Sequence, residues 1–222
     1  MAQLDSLLPL VRVHVEGCPV PTMIQQLRWA LREFCKESRF LRESIAFQVL
    51  AHQSIYALGP TLVDARLVEI DAVMIDGEPL IPIGPKEVAP SSAYASGTYI
   101  PDDGSGDEAG VIQAARVLNY WMEPPADLVL WPTPNRNGEG AATVILDVMP
   151  GATTIPDAIE RKYADAISYG ALHRLYLMPK KPWSDPQLAG YYAGEFRRQI
   201  LEAQSEASRQ HRRRNYRVKP EY

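Results

Sequence analysis

The sequence predicts an α+β protein: a small helical bundle with an inserted antiparallel β module and an extended basic C-terminal tail. Three observations lead there. Apolar residues recur at helical spacing after Pro21, the period changes to alternation with turn punctuation between residues 45 and 150, and the helical period returns at Ile155. The implied division is an N-terminal helical part of the bundle over 1–44, the β module over 45–150, a C-terminal helical hairpin over 151–208 and the tail over 209–222.

In the first part, Thr22 and Gln25 have the spacing of a capping box, and Ile24, Leu27, Leu31, Phe34 and Cys35 then form one apolar face, which predicts a helix over 22–38. In the second, Ile45, Phe47 and Val49 alternate with Ala46 and Gln48. Ile55–Leu58 runs into Gly59-Pro60, and residues 67–75 are largely β-branched or apolar. Asp76-Gly77 between Val73–Ile75 and Pro79–Ile81 predicts a tight hairpin, because both residues tolerate the positive φ that such a turn demands. Residues 85–110 lose the pattern, with room for a short helix at 86–95; strands are expected again at 116–121, 127–131 and 142–148.

In the third part, Ile155-Pro156 opens a helix with Pro156 at its first position. Ile159, Tyr163, Ala166, Ile167, Gly170 and Arg174 share a face, with Leu172, Leu175 and Tyr176 beside it. After a Pro-containing connector at 178–184, Asp185 reads as an N-cap with Pro186 at the first helical position. Leu188, Tyr192, Phe196, Ile200, Ala203 and Ala207 then step by three or four, completing an antiparallel hairpin.

Composition narrows the function. With 46% hydrophobic and 23% charged residues among 222, the chain is an ordinary folded protein, long enough to fold without staples. Cys18 and Cys35 make no disulfide framework and lack neighbours at zinc-ligand spacing, which fits a reducing, cytosol-like compartment. Residues 1–15 have no basic leader and are interrupted by Asp5, Pro9, Arg12 and His14, so neither a signal peptide nor a membrane span is expected.

The search for chemistry returns little. Gly104–Ala109 has the outline of a dinucleotide fingerprint, but it follows no strand and carries Asp107 and Glu108, which repel phosphate. As a calcium loop, Asp103, Ser105 and Asp107 alternate correctly, yet Glu108 stands where glycine is needed and Ala114 where the bidentate acid belongs. His14, His52, His173 and His211 are scattered, and no serine or cysteine occupies a nucleophile context, so no catalytic, cofactor or metal site is assigned. Trp121 and Trp131 with neighbouring tyrosines admit two readings, strand core or a stacking platform for a carbohydrate or other ligand.

The formal charge of −4 conceals an asymmetry. From residue 209 onward Arg209, Arg212, Arg213, Arg214, Arg217 and Lys219 face Glu221 alone, a net of +5, so the rest of the chain carries −9. Together with Tyr216 and Tyr222, these residues suit nucleic acid, a protein groove or a merely solubilising terminus, and the acidic body weighs against the first.

Residues 155–176 and the connector Lys181-Pro182-Trp183-Ser184-Asp185-Pro186, with Tyr56–Leu58, the Asp76-Gly77 turn before Leu80-Ile81-Pro82, and Leu128–Pro134, together resemble the bacteriophage head-to-tail adaptor, or neck, proteins. The resemblance touches nearly the whole chain. It implies a non-enzymatic virion protein, made in the host bacterial cytoplasm, whose about twelve copies form a ring beneath the portal protein. Such a ring extends the channel through which DNA passes without sequence-specific binding and presents a surface to the tail or nozzle protein. It also implies that Arg209, Arg212, Arg213, Arg214, Tyr216, Arg217, Lys219 and Tyr222 dock on the portal.

Overall fold

The computed structural model describes residues 2–84, 117 and 119–215, with side chains through residue 209. In chain order the elements are β1 (Ala2–Gln3), a 3-10 turn (Leu4–Leu7), α1 (Leu8–Arg12), α2 (Val20–Ser38), β2 (Arg42–Val49), β3 (Ile55–Ala57) and β4 (Ala65–Ile75). They continue with β5 (Glu78–Pro79), β6 (Ile81–Pro82), β7 (Asn119–Glu123), β8 (Asp127–Trp131), β9 (Gly138–Val148), β10 (Thr154–Ile155), α3 (Asp157–Tyr176) and α4 (Pro186–Asn215). The class is mixed α+β, as the sequence predicts. The chain forms two units: a helical one of Met1–Leu41, Thr61–Arg66 and Leu146–Tyr222, and a β unit of Arg42–Pro60 and Leu67–Ile145.

In the helical unit, α2 begins two residues before the expected Thr22. Pro19 holds the N-cap position in an extended conformation and no side-chain cap forms, so the Thr22–Gln25 capping box is not used. The reason is local: Pro21 falls in the first turn, where its fixed φ suits a helix and its missing N–H costs nothing. Met23, Leu27, Ala30, Leu31, Phe34 and Cys35 form the buried face. The helix stops where Arg39 turns left-handed (φ 51°) and donates its N–H to Cys35 O at 3.1 Å.

Pro156 likewise caps α3 from outside the helix, its carbonyl accepting from Ile159 and Glu160 N–H at 2.9 and 3.0 Å. Much of the helix circumference is covered, and Arg174 lies at the partly exposed margin of the expected face. Tyr163, where φ/ψ departs from helical values, places its ring 5.0 Å from both Phe34 and Phe40. Gly170 marks a three-helix junction, because a Cβ there would lie 2.9 Å from Ala30 Cβ of α2 and 2.9 Å from Phe196 Cζ of α4.

Asp185 caps α4 as expected, its Oδ1 accepting from Gln187 and Leu188 N–H at 2.9 and 3.1 Å. The buried stripe begins at Ala189 rather than Leu188, which is exposed, and continues through Tyr192, Phe196, Ala203 and Ala207. The helix does not end at Ser208. It runs to Asn215, so residues 209–215 are helical where an extended tail was expected, because Arg and Gln support helix and no Pro or Gly intervenes before Pro220.

The unit is tied together by a carboxylate outside its helices, Asp64. Asp64, itself left-handed at φ 61°, accepts from Thr153 N–H and Thr154 Oγ1, each at 3.1 Å, while its carbonyl accepts from Met149 N–H at 2.7 Å. The Thr153 N–H foremost, helped by the Thr154 hydroxyl, holds the Asp64 carboxyl below its ordinary value. A depressed folded-state value gives stability that is present above the unfolded value, about 3.9, and lost as pH falls through the folded one. Asp64→Asn should therefore remove part of the acid-side decline in the urea midpoint below about pH 4, in a titration from pH 7 to 2.

The β unit holds two four-stranded sheets, ordered β2-β9-β4-β5 and β3-β8-β7-β6. The strand pair β2 and β9 is antiparallel from Arg42 opposite Ile145 to Val49 opposite Gly138, and Phe47 lies over Gly140, where a Cβ would come within 2.4 Å of its ring. Asp76-Gly77 makes the expected hairpin, with φ of 51° and 83° and Ile75 opposite Glu78. In one respect the expected antiparallel module is corrected: β6 pairs with β7 in parallel. A parallel partner needs a long crossover, and the residues between Pro82 and Asn119 supply ample length. β9 begins at Gly138 rather than 142, and residues 116 and 118 of the strand expected at 116–121 lie outside the described residues. The possible helix at 86–95 and the acidic loop at 102–108 lie outside the described residues.

Candidate functional site

The C-terminal basic segment starts on a rigid element. Arg209 is exposed and donates to Ser205 Oγ one turn back at 3.1 Å. Arg212, Arg213 and Arg214 fall in the last turns of α4, where cations complement the negative end of the helix dipole. Tyr216, Arg217, Lys219 and Tyr222 lie outside the described residues.

Beneath Arg209 runs a groove between α3 and α4. Its charges are already committed to one another: Lys162 pairs with Glu206, Tyr163 OH donates to Glu206 at 2.8 Å, and Arg198 bonds Glu195 at 2.5 Å and Glu202 at 3.3 Å. Burial first, and then the bond to Glu206, pushes the Tyr163 hydroxyl up. The groove therefore brings structural ion pairs to the base of the segment rather than an acid or base poised for chemistry.

The residues tried for catalysis or metal binding have structural surroundings. Cys35 is fully buried, and burial, reinforced by the Asp147 carboxylate, pushes its thiol far up, opposite to what a nucleophile needs. Burial also raises Cys18. His173 Nδ1 lies 2.9 Å from Ala189 O across the helical hairpin, His14 lies against Tyr192, and His52 occupies a left-handed turn position. Among the described residues no group of three or more His, Cys, Asp or Glu side chains could hold a metal ion, and no helix is long and apolar enough to cross a membrane.

Trp121 and Trp131 are brought to one sheet face. Trp121 stands opposite Val129 and Trp131 opposite Asn119, so both share the face of Ile55, and both are half-exposed. The opposite face, with Tyr56, Tyr120, Leu128 and Leu130, is the buried one. There burial, together with Asp71 and Glu69, pushes the Tyr120 hydroxyl up to about 12. A 390 Å³ pocket in this unit is lined by Val49, Ile75, Asp76, Leu80 and Arg136, and neither tryptophan contributes to it.

No curated protein matches the chain. A family model described as SU10 adaptor protein matches residues 3–219, spanning the first helices, the β unit, the helical hairpin and most of the basic segment. Its reach from end to end agrees with the resemblance to phage neck proteins carried by the Trp183 connector and the Asp76-Gly77 turn, and on that extent of match the chain belongs to the SU10 adaptor protein family.

Proposed function

We propose that this phage structural adaptor is the head-to-tail connector of its virion, a ring of about twelve copies under the portal protein that extends the DNA channel and receives the tail or nozzle protein. The observation that carries the reading is the family match over residues 3–219. Residues 209–222 are the docking arm for the portal. The helical start of that arm supports this role, since backbone already helical loses less entropy on docking than a free coil. An acidic body suits a channel wall along which DNA slides without counterion-releasing contacts, and heterologous contacts of modest strength suffice when they close a ring.

The test is native mass spectrometry of the portal protein from the same phage with three lengths of this chain: complete, stopped after Asn215 and stopped after Ser208. About one copy per portal subunit should bind for the complete chain, with partial loss for the first truncation and full loss for the second. A folded complete chain that binds no portal would overturn the reading.

A second reading, a ligand- or carbohydrate-binding β module of the virion, draws on the shared face of Trp121 and Trp131. It requires saturable sugar binding that disappears in Trp121→Ala or Trp131→Ala.

A further inference from the structure

A concave patch lies along α2. Trp29 is 46% exposed, with the Arg32 and Arg174 guanidiniums 5.4 and 5.8 Å from its ring centroid. The adjoining pocket, about 320 Å³, is lined by Pro21, Gln25, Arg28, Trp29, Arg32 and Pro150. Two of the three arginines are committed. Arg174 pairs with Glu33 at 2.7 Å, and Arg28 Nε donates to Ala152 O at 2.9 Å. Arg32 Nε is buried and has no acceptor among the described residues.

A buried charged donor without an acceptor costs stability, and such groups are normally satisfied by a partner. Nε itself is closed to solvent, so an incoming group meets the rest of the guanidinium where half-buried Arg32 lines the pocket, and the group that suits it beside an indole is a carboxylate or a phosphate. Duplex DNA carries a charge about every 1.7 Å and is held by tracts of cations, whereas this pocket offers one uncommitted guanidinium with Glu33 close by. A single carboxylate is the better fit. The chain outside its basic segment carries −9, so a second copy supplies acidic side chains in abundance to a patch of opposite sign.

We propose that the Trp29–Arg32 pocket is the receiving half of a contact between copies, taking an aspartate or glutamate side chain of a second copy into the fork of Arg32. The contact is heterologous, since pocket and carboxylate are different surfaces, and such contacts close rings. The inference rests on the reading that copies assemble side by side on the portal.

Zero-length carbodiimide coupling on the complete chain assembled with portal tests it. Arg32→Lys places an amine in the pocket, and equal amounts of 15N-labelled and unlabelled copies separate bonds between copies from bonds within one. Mass spectrometry should find the position-32 amine joined to an Asp or Glu of a second copy, with yield falling severalfold when Trp29→Ala is added. Arg32→Glu should weaken association between copies by roughly tenfold or more while leaving the thermal midpoint of the free chain close to wild type. If the assembly forms and the amine joins only its own copy or the portal, or stays unmodified, the pocket assignment is wrong and the ring reading survives. Failure of the wild-type chain to assemble on portal removes both.

Discussion

Replacing Gly170 by leucine should destabilise the helical unit by more than about 3 kcal/mol, and replacing it by alanine by about 1 kcal/mol. The alanine case sets two effects against each other. Alanine gains about 1 kcal/mol of helix propensity over glycine in the middle of α3. Against that, its methyl would meet Ala30 Cβ at 2.9 Å and Phe196 Cζ at 2.9 Å, and overpacking of this kind costs about 1–3 kcal/mol. The phenyl ring can tilt away, but Ala30 Cβ is fixed to the α2 backbone, so α2 and α3 must separate. Leucine has nowhere to go between the three helices. A urea melt of each variant checks the magnitudes, and Phe196→Leu should recover part of the loss in the Gly170→Ala background. Gly170→Ala more stable than wild type would mean that the helices do not meet as closely as the junction requires.

The same junction shows what was legible in the chain. Gly170 was placed on the inward face of α3 by period alone, and the Asp185 cap and the Asp76-Gly77 turn were legible because each depends on one or two adjacent residues. The capping box at Thr22 failed because a competing local signal, Pro21 in the first turn, starts α2 earlier. The parallel pairing of Ile81–Pro82 with Asn119–Tyr120 was not legible, since a two-residue strand carries no period and its partner is remote in sequence. A change of charge marks residue 208 in the sequence, but charge does not stop a helix, and α4 continues to Asn215. For the site, the sequence showed the basic segment but not the pocket at Trp29. There the signal was present, an Arg-Trp-x-x-Arg run on a helix, yet only tertiary placement reveals that Arg28 and Arg174 are committed and Arg32 Nε is not.

Arg66→Met should cost about 2–3 kcal/mol at neutral pH, through the carboxylate it leaves behind rather than through the bond it loses. Asp147 is 4% exposed, accepts from Arg66 Nη2 at 2.8 Å and from Val148 N–H at 2.8 Å, and lies close enough to the fully buried Cys35 to raise its thiol further. Breaking a fully buried pair costs about 3–5 kcal/mol; here the Arg66 side chain is 52% exposed, so water reaches the vacated position and the cost is discounted. If stranded charge is the cause, removing that charge relieves the loss. For the same reason Arg66→Met with Asp147→Asn should be more stable than Arg66→Met alone, giving a coupling of about 1 kcal/mol or more in a double-mutant cycle. Additive effects in the cycle would instead assign the loss to the packing of the Arg66 stem. Asp147 lies next to the end of β9, where the chain passes from the β unit into the helical unit. A charge stranded there would loosen the segment leading to Thr153 and Thr154, which hold the Asp64 carboxylate.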